Sequence, residues 1–364
     1  MRKIVWNWGT RLIEPFGLEH VWLLRKLGTR GTPLGVQRTM VRPASPFWRA
    51  LSSTLGVQEP LTHTWLLREK SKGGLLAGLL QTMDRPGRPE AEIVYVSPAL
   101  SGRPEVQNLW NKLITHACAQ AGERGIQRLL VDLPSGGDEV QIFRQAGFTI
   151  YAREEILRLE SVPGSAPNSS LPEGLRRPCN GDGIRLQELY AAVTPRLVQM
   201  AEAQSPYGWR LTHNQHLPMW GEEVYLLQND DGKLDAFLQI RPGSAGHWLD
   251  LILAPRIRSS VEPLLDFGLE RISGWGSKPV YTAVREYQGG LLPALHEKGF
   301  QPIGRQAAMV KYTTVLIKDP LPKLLTVIDK RVDSSAPTVT LLNSEASPES
   351  VSIPAAAVAG PGHD

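Results

Sequence analysis

Two carboxylates lie inside strand-like runs of this chain, Glu92 in EIVYVSP (92–98) and Asp250 in LDLILAP (249–255). Alternate side chains of a strand share a face. Asp250 therefore aligns with Trp248, Ile252 and Ala254, and Glu92 with Val94 and Val96. A carboxylate on a part-buried strand loses hydration, and its pKa rises toward the neutral range that general-base work needs. An ion pair or an exposed strand end accounts for the same residues. Arg256, Arg258, Ser259 and Ser260 follow the second run at the start of a helical pattern. Guanidinium groups and free N–H groups at a helix start can hold a diphosphate. A solvated loop with a serine cap has the same composition. Tyr287 stands just past the next strand-like run, where its hydroxyl can donate a proton or simply pack. His213 and His216 have i, i+3 spacing, but no third ligand is evident nearby, so no metal is expected.

The elements that must position these residues occur twice. Residues 129–148 (LLVDLPSGGDEVQIFRQAGF) and 281–300 (YTAVREYQGGLLPALHEKGF) follow one plan: a strand-like run, a turn with Gly-Gly, and a short helix ending in Gly-Phe. Upstream, Val106, Leu109, Trp110, Leu113, Ile114 and Ala117 have the spacing of one helical face. Val261, Leu264, Leu265, Gly268, Leu269 and Ile272 repeat it. Each helix follows a strand that closes on Pro, Pro98 or Pro255. The chain is a tandem duplication of one α/β unit, and function belongs at the same place in both copies.

Helices are also expected at 17–28 and 45–56, and at 184–203 with a break near Pro195. Strands are expected at 63–70 and 73–83, and a hairpin over 223–229 and 233–242 around Asp231-Gly232. The predicted organisation is an N-terminal extension (1–39) that packs on or completes the first domain, a first domain (40–160) and a linker (161–175). A second domain (176–318) and a C-terminal segment (319–364), disordered from about 333, follow. No run of 18 apolar residues occurs, no secretory h-region precedes Arg11, and only Cys118 and Cys179 are present. A cytoplasmic protein without membrane partners is expected. The net charge of +4 combines a body of +8 with a tail of −4 (Asp333, Glu345, Glu349, Asp364). The ten Trp are scattered rather than interleaved with a basic run, so nucleic acid is not the expected partner.

The order of strands and helices, with Pro closing the central strand and Gly-Phe closing the last helix, resembles the GCN5-related N-acetyltransferase (GNAT) family over about residues 40–160 and 176–316. The resemblance implies a mixed α/β fold of two tandem domains, each a central sheet flanked by helices. It implies an acyl-CoA-dependent N-acyltransferase that moves an acetyl group from acetyl-CoA to an amine on a small molecule or protein. A non-catalytic module that binds a ligand or protein through the same cleft is the alternative. In the family a glycine-bearing Arg/Gln motif opens the helix after the central strand. Here Arg258 falls in register, while Val261 and Pro263 hold the glycine positions. Copy one has Ser101, Pro104 and Val106 there. The resemblance implies a general base at Asp250 or Glu92. It also implies a Tyr proton donor five residues before the last Phe, where this chain has Phe143 and Leu295. Tyr287 is the nearby substitute.

Overall fold

The computed structural model describes residues 13–57, 61–71, 74–162, 172–206, 209 and 221–313. His213, His216, most of the linker and the C-terminal segment from 314 onward, with the disorder expected there, lie outside the described residues. The strands are β1 (Ile13–Pro15), β2 (Thr32–Pro33), β3 (Thr62–Ser71), β4 (Gly74–Asp84), β5 (Glu90–Ser97), β6 (Arg128–Pro134), β7 (Thr149–Leu159), β8 (Leu175–Arg176), β9 (Glu223–Gln228), β10 (Leu234–Pro242), β11 (His247–Leu253), β12 (Val280–Arg285) and β13 (Gln301–Tyr312). The α-helices are α1 (Val21–Leu27), α2 (Val36–Val41), α3 (Pro46–Thr54), α4 (Pro104–Glu123), α5 (Asp138–Gln145), α6 (Asp182–Val193), α7 (Arg196–Glu202), α8 (Glu262–Ser273) and α9 (Leu292–Glu297).

The repeated apolar spacing becomes two equivalent helix–sheet layers. All six repeat positions of α4 are buried over copy one. Their counterparts on α8 are buried over copy two, with Val261 as its N-cap. α8 begins at Glu262, later than the pattern suggests. Pro263 suits a first turn because it has no N–H to give a helix interior, and a 3₁₀ turn over Pro255–Ser260 fills the gap.

The repeated Gly-Phe is a helix stop. Gly147 and Gly299 take left-handed φ values of 89° and 88°. The N–H of Phe148 reaches the carbonyl of Phe143, and that of Phe300 reaches Leu295, both at 3.0 Å. This is the Schellman arrangement, with its apolar contact between the residues it joins. Phe143 and Phe148 meet edge to face at 5.0 Å. Phe143 and Leu295 are thus committed to closing their helices.

All strands join one sheet, in the order β1-β3-β4-β5-β6-β13-β7-β12-β11-β10-β9-β8, with β2 added on β5. The order is a palindrome about the β13–β7 pair. β13, from copy two, pairs with β6 of copy one; β7, from copy one, pairs with β12 of copy two. Each copy's last strand completes the other copy's sheet. The helices cross over too. Val41 at the end of α2 packs with Trp248 and Tyr281 of copy two. Val198 and Ala201 of α7 pack on Leu130, Ala152, Ala308 and Val310 around β6, β7 and β13. Thr32 and Pro33 of β2 pair with β5, and Val36 at the start of α2 packs in the same cluster as Val41, Trp248 and Tyr281.

One expected strand face is corrected. β4 pairs Gln81 with Tyr95 and Thr82 with Ile93, so Val94 is an extra residue on β5. This bulge resets the alternation. Ile93 and Val96 both enter the core under α4, and Glu92 does not share a face with Val96. β11 has no such shift: Leu249, Leu251 and Leu253 face the core under α8, and Asp250 faces the other way with Trp248 and Ile252.

Candidate functional site

In each copy two parallel strands start together and then part. β5 and β6 pair only over Glu90–Glu92 and Arg128–Leu130. β11 and β12 pair only at His247–Trp248 and Val280–Tyr281. Beyond those points each strand presents backbone groups to a wedge, and a buried backbone group needs a partner. Copy one fills its wedge with its own chain. Thr32 and Pro33 pair with Val96 and Tyr95, Leu34 N–H donates to Val94 C=O at 3.0 Å, and Gly35 N–H donates to Asp132 C=O at 3.3 Å. The Tyr95 hydroxyl accepts from Gly31 N–H at 2.8 Å. In copy two the Leu251 carbonyl accepts from the Gln288 side chain at 3.1 Å. Asp250, Leu251 and Ile252 on one strand and Ala283 and Arg285 on the other line a cavity of about 380 Å³ that runs into copy one.

Glu92, Asp250 and Tyr287 all line this cavity, so three residues far apart in sequence share one site. Their states differ. Burial would raise Glu92, but Arg85 and Arg38 outweigh it and hold the carboxyl down at about 2. Arg85 Nε donates to it at 2.8 Å and Arg38 Nη2 at 2.5 Å. The neutral-range pKa expected for Glu92 is therefore replaced by a firmly ionised carboxylate, because two guanidinium groups flank it. Asp250 accepts from the Trp248 indole at 2.7 Å and pairs with Arg241 at 2.9 Å. The Tyr287 hydroxyl accepts from Arg285 Nη1 at 3.0 Å, and burial raises its pKa, so it stays protonated at neutral pH.

Of the expected diphosphate residues, Arg256 alone has a described side chain. Arg256 is outside the cavity lining, and its Nε donates to Asp235 at 2.6 Å. Arg258, Ser259 and Ser260 are in the 3₁₀ turn; their side chains lie outside the described residues. Prolines stand in the first turns of α4 and α8. A diphosphate there would meet fewer backbone donors than at a glycine-rich start.

The sequence reading missed the cavity's most distinctive group, Asp132 on β6. Its carboxyl is raised to about 7 by burial first, then by Glu154 and Glu92, against the lowering pull of Arg85 and Arg285. Among the described residues no hydrogen bond or ion pair reaches that carboxyl. Its signal was present in LLVDLP: Leu129, Val131 and Leu133 form the core face, leaving a lone Asp on the other. Also missed was a buried network around Arg285, which donates to Glu154 at 2.8 Å and pairs with Glu202. Gln306 donates to Glu154 at 2.6 Å, and the Tyr190 hydroxyl donates to Glu202 at 2.7 Å. Its members come from β7, α6, α7, β12 and β13, so no local pattern announces it.

Among the described residues no group of three or more His, Cys, Asp or Glu is placed to hold a metal ion, and no helix is long and apolar enough to cross a membrane. Cys118 is buried and Cys179 exposed, both as free thiols.

No protein-family model and no curated protein matches the chain. Among solved structures, it is similar to a GCN5-related N-acetyltransferase from Sphaerobacter thermophilus, with a TM-score of 0.47 and 14% identity over 82% of this chain and 95% of that one. It is similar to a tandem GNAT protein from the clavulanic acid biosynthesis pathway, with a TM-score of 0.45 and 18% identity over 82% and 98% of the two chains. A putative acetyltransferase from Pyrococcus horikoshii gives 0.44 and 12% over 83% and 89%.

Proposed function

We propose that this chain is an acyl-CoA-dependent N-acyltransferase, with acetyl-CoA as donor, and that its two copies build one composite site. The observation that supports this reading is the inequality of the wedges. Copy one spends its wedge on residues 32–35, and copy two keeps a strand edge facing a polar cavity. An extended donor bearing amide groups can pair with β11 much as Leu34 pairs with β5. Arg258, Ser259 and Ser260 are the proposed diphosphate contacts, with Arg256 secondary because Asp235 already engages it. When bound, acetyl-CoA supplies a thioester carbonyl open to attack by an amine. Tyr287 is the proposed proton donor to the departing sulfur. Asp250, expected as the general base, is engaged by Arg241 and the Trp248 indole and is assigned to orienting the acceptor. Glu92, the other expected base, is engaged by Arg38 and Arg85 and is assigned to holding them in place. A cytoplasmic setting belongs to the same proposal.

Calorimetric titration with acetyl-CoA tests it, together with amine-dependent thiol release. One equivalent should bind per chain, and at 100-fold over Kd the folded state should gain about 2.7 kcal/mol. No binding and no thermal shift would sink the reading. The non-catalytic alternative has one observation in its favour: Phe143 and Leu295, where the resemblance implies a proton donor, are packed into helix stops. Binding of acetyl-CoA without thiol release to any amine would select it.

A further inference from the structure

The charges lining the cavity balance almost completely. Arg38, Arg85, Arg88, Arg241 and Arg285 each have a carboxylate partner: Arg38 has Glu92, Arg85 has Glu90 and Glu92, and Arg88 has Glu90. Arg241 has Asp250 and Glu222, and Arg285 has Glu154 and Glu202. The lining carboxylates Glu92, Glu154, Glu202 and Asp250 are engaged in those pairs. Among the described residues, Asp132 is the lining carboxylate left without an ion-pair partner. Its strand is fixed locally, because its carbonyl accepts from Gly35 and it faces Ala308 across the β6–β13 ladder. It sits where β5 and β6 part, in a cavity that also has the apolar side chains of Phe237, Trp248, Ile252 and Ala283.

An unpaired carboxyl in a space walled by satisfied ion pairs is a receptor for one positive charge. An anionic ligand would have to break an arginine pair, and a neutral one can donate a hydrogen bond but leaves the charge of the carboxylate unmatched. The apolar side chains suit a hydrocarbon body, and aromatic faces favour a cation near them. A cavity of about 380 Å³ is of small-molecule size.

We infer that the acceptor is a small monocationic amine with an apolar body, its ammonium seated on Asp132, and that Asp132 takes the ammonium proton. This rests on the acyltransferase reading for the transfer step, though not for the binding step. One ammonium proton passes to the Asp132 carboxylate and on to solvent, which frees the nitrogen lone pair. The C–N bond forms as the thioester C–S bond breaks, and the electron pair leaves with sulfur. A second proton ends on that sulfur, and the third stays on the amide nitrogen. The base comes from copy one and the donor edge from copy two, so neither copy is a site alone.

Asp132 is faced by Glu92 of β5, by Glu154 and Tyr151 of β7, by Arg85 of the β4–β5 turn and by Arg285 ending β12. With the carboxyl raised to about 7, the cation is received only as pH rises through that value. An aliphatic amine stays charged to about pH 10.

The experiment is calorimetry on the full chain without acetyl-CoA. The probes are 2-phenylethylamine, its neutral analogue 2-phenylethanol and the anion 3-phenylpropanoate, with 1,5-diaminopentane as a dication. The amine should bind at least tenfold more tightly than the alcohol at pH 8. Its affinity should fall at least tenfold at pH 5.5, and the anion should not bind. Asp132→Asn should abolish the preference for amine over alcohol, and Asp132→Glu should retain part of it. Equal binding of amine and alcohol, tighter binding of the anion or dication, an unchanged Asp132→Asn, or no binding of either amine overturns the inference. If Asp132→Asn does not fold, the charge series and pH dependence of the wild type decide the matter. Amine binding with no acetyl transfer refutes the enzymatic reading alone. Transfer to an acidic or neutral acceptor refutes this inference alone.

Discussion

At the residue scale, Glu92 and Asp132 are near neighbours whose carboxyls are driven in opposite directions. Both lose hydration. Glu92 has two guanidinium partners, and Asp132 has two carboxylate neighbours. For Glu92 the folded pKa is depressed, so its stabilisation is present above the unfolded value of about 4.3 and is lost as pH falls toward 2. Glu92→Gln should cost about 3 kcal/mol at pH 7, near the lower end for a broken buried pair because Arg85 keeps Glu90. Denaturant melts at pH 7 check this, and a loss under about 0.5 kcal/mol would mean that the pair is not load-sharing. Asp132 has the opposite sign. Its folded pKa lies above the unfolded one, so it opposes folding above about pH 7 and ceases to do so as pH falls toward 4. Asp132→Asn should therefore melt at a higher temperature than wild type at pH 8, with the gap closing by pH 4. A lower melting temperature at pH 8 would contradict this account of its environment.

At the scale of elements, the duplicated Gly-Phe and the N-terminal segment have testable costs. Gly147 and Gly299 lie in left-handed conformations that cost an L-residue roughly 1–2 kcal/mol. Alanine at either position should lower stability by about that much. At Gly147 the added Cβ would also lie 3.2 Å from Lys311 Nζ, a flexible group that can yield. Equal penalties in both copies, read from urea midpoints, would confirm that the two stops are the same device. Leu34 is 2% exposed in the copy-one wedge. Leu34→Ala should cost about 2–5 kcal/mol if the wedge cannot collapse around the space left. The same variant should leave acetyl-CoA binding unchanged, since the proposed donor edge is in copy two. A lost donor site with unchanged stability would place the donor in copy one instead.

For the whole molecule, the exchanged last strands make the copies interdependent. Without β13, strand β6 has an open edge, and without β7 so does β12; open edges invite aggregation. Residues 1–165 and 170–317 should each be insoluble or self-associated when expressed alone. Coexpressed, they should purify as a one-to-one complex, because each supplies the strand the other lacks. Two soluble monomeric halves would show that the exchange is dispensable.

Much of the secondary structure is local, and so was legible in the residues. The 3.6-residue spacing of α4 and α8, the Gly-Phe stops, the break at Pro195 and the Asp231-Gly232 hairpin follow from side-chain periodicity and backbone chirality. These act within a few residues of themselves. The mixed α/β duplication follows in turn, because two identical local programs build two equivalent layers. The very short strands β1, β2 and β8 carry too few residues to show a period. The bulge at Val94 depends on β4, so the face of Glu92 could not be read from alternation alone. Partner choice lay further out of reach. Nothing local distinguishes β7 beside β6 from β13 beside β6, because both are long strands of mixed composition that follow the same helix stop. That choice belongs to the packing of the whole chain. It brings Asp132 of copy one, Asp250 and Tyr287 of copy two, and the Arg285 network into one cavity. The sequence by itself determined which groups were available and where the longer helices and strands would form. The tertiary structure alone decided which carboxyl was paired and which was left free, because burial and neighbouring charge are properties of a place in the fold.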